Sequence, residues 1–132
     1  MTGRILYVHD PDNYHDPQAA HIAHIPAGIS TKSALLDALP KELRFPEYFG
    51  RNWDALVECL RDLSWLPLGR VVLVHDALPQ LDEENLRTYV QILESVIRDG
   101  EVDESRELVI IFGTDDRTRI AYLLSTDPRQ SR

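Results

Sequence analysis

Two apolar runs constrain this chain more than anything else in it. Arg70-Val71-Val72-Leu73-Val74 and Leu108-Val109-Ile110-Ile111-Phe112 leave no polar face, the pattern of strands covered on both sides. Between them, Asp82-Glu83-Glu84 supplies an acidic first turn for a helix. Leu86, Val90, Leu93 and Ile97 then recur at helical spacing as far as Arg98, with a stop at Gly100. Strands alternating with helices in this way predict an α/β protein built on a mostly parallel sheet flanked by helices.

The remaining segments fit that scheme. Ile5 to Val8 reads as a short strand, followed by a polar loop from His9 to Pro17 with two prolines and three acidic residues. Ile22-Ala23-His24-Ile25 alternates as a half-buried strand and ends at Pro26-Ala27-Gly28. Ser30 or Thr31 can then cap a helix that turns Ala34, Leu35, Ala38, Leu39 and Leu43 inward. Pro40 lacks an amide, which predicts a kink or break just before it and a new chain direction from Leu43 to Phe45. Beyond Gly113, the stretch Ile120-Ala121-Tyr122-Leu123-Leu124 predicts a short helix or strand before a frayed end.

The segment from Phe45 to Leu60 speaks to function. It reads as an aromatic loop, a glycine turn and a helix that starts at Asn52, a side chain suited to accept from an unpaired first-turn amide. Asp54 falls in the first turn, where the helix dipole favours an anion. Ala55, Leu56, Cys59, Leu60 and Leu63 define a buried face. Asp54 and Glu58 are four residues apart and stack on another face. Like charges so placed cost roughly 0.2–0.5 kcal/mol in an isolated helix, so their pairing suggests presentation to something positive. Each feature also has a purely structural use. Asp54 can serve the dipole, Glu58 can be solvated, Gly50 can supply a positive φ, and one of Tyr48 and Phe49 can belong to the core.

Pro46-Glu47-Tyr48-Phe49-Gly50, then Asn52, then Asp54-Ala55-Leu56, then Glu58-Cys59-Leu60 resembles the barstar family, small intracellular inhibitors of extracellular microbial ribonucleases. The similarity continues more weakly to Gly113. It implies a compact fold with a three-stranded, mostly parallel sheet over residues 21–113, with residues 1–20 and 114–132 as short terminal extensions. It also implies a protein partner, a basic ribonuclease, whose cationic cleft is plugged by the acidic helix and the loop before it. Carboxylates would stand where RNA phosphates bind. On this resemblance the contact residues are Tyr48, Gly50, Asn52, Trp53, Asp54 and Glu58. Arg51 lies where an acidic residue is common, and Arg61 is one turn beyond Glu58, within helical pairing distance of it. A second acidic contribution from the later helix falls on Glu94 or Ser95.

Composition sets further bounds. The net charge of −8 over 132 residues makes nucleic acid a poor partner and a basic protein a reasonable one. No apolar run approaches the ~20 residues of a membrane span. Cys59 is the single cysteine, which excludes an internal disulfide and a thiolate zinc cage. Its place between Leu56 and Leu60 predicts a buried thiol. A cytoplasmic location follows as an expectation, as does a monomer when free, with no metal and no cofactor. Two other functions stay open. A barstar-like domain could serve as an adaptor or regulator without inhibiting a nuclease. An enzyme could use His9-Asp10 with Asp12, His15-Asp16 or His75-Asp76, the last pair following a buried strand, where α/β proteins place catalytic groups.

Overall fold

The two apolar runs form the centre of one sheet. In the computed structural model, which describes residues 3–99 and 105–125, the elements in chain order are β1 (Arg4–Val8), β2 (His21–Ile25), α1 (Lys32–Leu43), α2 (Trp53–Asp62), β3 (Gly69–His75), α3 (Glu83–Asp99), β4 (Arg106–Gly113) and α4 (Arg117–Ser125). All strand pairs are parallel and the order is β1-β4-β3-β2. The sheet therefore has four strands where three were expected. The addition is β1, from the N-terminal extension, which pairs with β4 in the register Arg4 to Val109 through Val8 to Gly113.

The period of two along β3 and β4 divides the apolar side chains between two cores. Val71, Leu73, Leu108, Ile110 and Phe112 join residues from all four helices in the larger one. Val72, Val74, Val109 and Ile111 point to the other face. The steps from β2 to β3 and from β3 to β4 run the same way across the sheet. Right-handed crossovers then place their helices on one side. The opposite face is closed by the link from β1 to β2, which brings Tyr14 and Ala19 against it. Arg70 fastens that link, donating to Asp16 at 2.8 Å and to Glu107 at 3.3 Å. The guanidinium holds the Asp16 carboxyl below its ordinary range.

Helix α1 begins at Thr31, whose Oγ1 accepts from the Ala34 amide at 3.0 Å. It then runs unbroken through Pro40 to Leu43, contrary to the predicted break. Pro40 forfeits one bond, but Leu36, Leu39 and Leu43 are buried on either side of it, and tertiary packing of an apolar face outweighs a single lost amide. The change of direction comes later, at Arg44, whose φ of 57° is left-handed. Phe45 N–H closes the turn onto the Pro40 carbonyl at 3.0 Å, a Schellman-type termination. The extension beyond Gly113 adds α4, with Ile120 and Leu123 buried against the core. Gly100, the expected stop of α3, lies outside the described residues.

Candidate partner-binding surface

Helix α2 starts where its sequence places it. Asn52 is in extended backbone and its Oδ1 accepts from the Ala55 amide at 2.8 Å. The loop before it departs from expectation in one respect. The positive φ of this turn belongs to Arg51, at 52°, and not to Gly50. A Cβ at Gly50 would lie 3.3 Å from the Asn52 side-chain nitrogen, a tight contact that asks the cap side chain to shift by a few tenths of an ångström. That nitrogen lies 3.3 Å from the Gly50 carbonyl oxygen, to which it donates.

Leu56, Cys59, Leu60 and Leu63 form the buried side of α2, while Ala55 is only half-buried. Burial raises the Cys59 thiol pKa, and the nearby Asp62 and Glu58 carboxylates add to the effect, which makes it an unreactive core group. Asp54 and Glu58 are exposed on the opposite side. Among the described residues neither has an ion-pair or hydrogen-bond partner. Asp62 is exposed one turn further on, so the ridge has three carboxylates. The same spacing of four would have extended the sequence reading to it.

The flanking cations are turned elsewhere. Arg51 donates to Asp37 at 2.6 Å and to Ser33 at 3.3 Å, both on α1. Arg61 reaches Asp99 of α3 at 3.8 Å and not Glu58. Of the loop aromatics, Phe49 packs edge-on to Phe45 at 4.9 Å, and Phe45 packs on Trp65 at 5.8 Å. Trp65 is pinned by an indole N–H bond of 2.9 Å to the Leu43 carbonyl. Tyr48 stands 75% exposed. Trp53 is half-buried, its ring 6.2 Å from that of Tyr89 on α3 and 5.0 Å from the Lys32 ammonium. Glu94 is engaged by Arg98 at 2.8 Å, and the Ser95 hydroxyl donates to the Ile92 carbonyl.

Of the histidines and aspartates that suggested catalysis, His75, Asp76 and Asp16 are engaged in structural contacts. His75 is fully buried between the Ile111 carbonyl and the Tyr89 hydroxyl. Asp76 binds His24 at 2.6 Å, and Asp16 binds Arg70. A cleft of about 640 Å³ opens at the carboxyl ends of the strands, lined by His9, Asp76, Asp115, Asp116 and Arg119 among others. None of the candidate contact residues lines it. Among the described residues, no three His, Cys, Asp or Glu side chains converge as a metal site, and no helix is long and apolar enough to cross a membrane.

Helix α2 is thus a capped helix with unpaired carboxylates, preceded by a loop whose Tyr48 is exposed. The family model described as Barstar (barnase inhibitor) matches residues 20–113, more than half of the chain. The protein belongs to the barstar family.

Proposed function

We propose that this protein binds a basic ribonuclease of the extracellular type and blocks it by inserting α2 and the loop before it into the active-site cleft. Asp54 and Glu58 supply the charge, Asn52 fixes the start of the helix, and Tyr48, Gly50 and Trp53 supply the shape. The partner is a protein, no cofactor takes part, and the chain performs no chemistry. Such an inhibitor acts as a monomer in the cytoplasm of the cell that makes the nuclease, as an immunity protein.

The observation that supports this reading is the pair of exposed carboxylates without partners on a capped helix. A cation three or four residues away on the helix would pair with such acids and mask them. Here Arg51 and Arg61, which flank the pair in sequence, reach Asp37 and Asp99, which leaves the acidic ridge available to a cationic cleft. The test is titration of the purified chain into RNA-hydrolysis assays with a panel of basic microbial ribonucleases, barnase included. Stoichiometric loss of activity of at least one is the expected result. Full activity of every member at micromolar concentrations of the chain contradicts the proposal and favours the adaptor role.

A further inference from the structure

Tyr89 is wholly buried on α3, yet its hydroxyl is committed to a single partner, His75 Nε2, at 2.6 Å. His75 in turn places Nδ1 at 3.0 Å from the Ile111 carbonyl oxygen. A carbonyl only accepts, so Nδ1 holds the proton, Nε2 is the acceptor and Tyr89 donates. The imidazole cannot turn away, since it is stacked on Phe112 with centroids 4.2 Å apart and planes 13° from parallel. The tyrosine ring is therefore fixed by strand β4 through a two-bond chain. Its own neighbour towards the surface is Trp53, stacked at 6.2 Å and 28°, with the Lys32 ammonium 5.0 Å from the indole. Trp53 is the first residue of α2, between the cap Asn52 and the acid Asp54.

We propose that Tyr89 is the positioning residue of the binding surface. Anchored to His75, its ring sets the Trp53 indole and thereby the direction in which the first turn of α2 presents Asp54. The proposal rests on reading α2 and its preceding loop as the nuclease contact. A ten-residue helix is marginal on its own and takes its order from tertiary contacts, and Tyr89 supplies that contact at the end where the chain enters. Without the anchor, Trp53 samples several orientations and a partner must order it on binding. That cost shortens the life of the complex and leaves the encounter rate unchanged.

Indole Nε1–H relaxation in the ¹⁵N-labelled full chain tests the first part without any partner. Trp65, held by Leu43, is the internal reference. In Tyr89→Phe the Trp53 order parameter should fall towards the flexible range, below about 0.6, while that of Trp65 stays. The double variant His75→Leu/Tyr89→Phe removes the hydroxyl and its acceptor together, so neither end of that bond is left buried and unpaired, and the bond to the Ile111 carbonyl is the one polar contact given up; Trp53 should remain mobile. The double variant also carries the test if the single variant fails to fold. A rigid Trp53 in the double variant overturns the proposal, because a merely structural bond would leave the indole ordered once packing is restored. With a ribonuclease that the parent inhibits, dissociation should accelerate by roughly 2–12-fold, the cost of ordering one rotamer-rich side chain, at unchanged association rate. Parent-like dissociation with a mobile Trp53 overturns the role in binding. Absence of inhibition by the parent removes the nuclease reading instead, and leaves the order-parameter result to decide the role of Tyr89.

Discussion

His75 shows how one buried side chain makes the fold sensitive to pH. Burial lowers its pKa from the ordinary 6.5 to about 4, against smaller opposing effects of the Ile111 carbonyl and Asp76. Above pH 6.5 the imidazole is neutral in both the folded and the unfolded chain. As the pH falls below that, the unfolded chain takes up a proton that the folded chain refuses, so stability drops until about pH 4, where both states are protonated. The interval corresponds to about 3 kcal/mol. His75→Gln can still accept from Tyr89 and donate to Ile111 but does not titrate. Urea unfolding at a series of pH values should therefore show a flatter profile for this variant between pH 6.5 and 4. Profiles of equal slope would contradict the assignment of a neutral, buried imidazole. At the surface, Asn52→Ala removes the bond to the Ala55 amide and should cost about 0.5–2 kcal/mol of stability, the usual range for a lost N-cap.

At the scale of elements, α2 was the most legible part of the molecule, while α1 was legible at its cap and buried face but not at Pro40. The cap, the acidic first turn and the period of apolar residues all pointed to one helix from Asn52, and local signals of that kind survive into the fold. Pro40 misled because its effect depends on what surrounds it. Propensity alone marks a break, while Leu36, Leu39 and Leu43 in the core hold the helix together. Gly50 misled for a related reason. A glycine in a turn suggests positive φ, but here the positive φ is at Arg51, and a Cβ on Gly50 would instead press on the Asn52 amide at 3.3 Å. Gly50→Ala should therefore weaken the α2 cap, which amide hydrogen exchange at Ala55 would report as lost protection. Retained protection there would argue that the cap tolerates the added carbon. The tethering of Arg51 to Asp37, and of Trp53 between Lys32 and Tyr89, joins residues 14 to 36 positions apart. No local pattern announces such contacts, which is why the carboxylates could be read from the sequence and their surroundings could not.

For the whole molecule, the fourth strand changes what the N-terminal segment does. Residues from Arg4 to Ala19 close one edge of the sheet and cover Val72, Val74, Val109 and Ile111. A chain beginning at residue 21 should lose on the order of 1 kcal/mol for each apolar side chain partly uncovered and bind a hydrophobic dye; an unchanged melting temperature would show that the segment is dispensable. The overall charge of −8 adds long-range attraction to a basic partner, so association should slow as salt rises and the Debye length shrinks below ~8–10 Å. The most direct measurement of the central claim is the affinity of Asp54→Ala and Glu58→Ala for an inhibited ribonuclease, determined by calorimetry beside the parent and a Glu84→Ala control on the exposed start of α3. Truncating one partner of a desolvated charge pair typically costs about 2–5 kcal/mol, and the larger couplings recorded for barnase–barstar are a precedent from this family and not a property of this chain. Both α2 variants should remain folded and lose affinity in that range while the control binds like the parent; parent-like affinity of both α2 variants would contradict the account of α2 as an imitation of RNA phosphates.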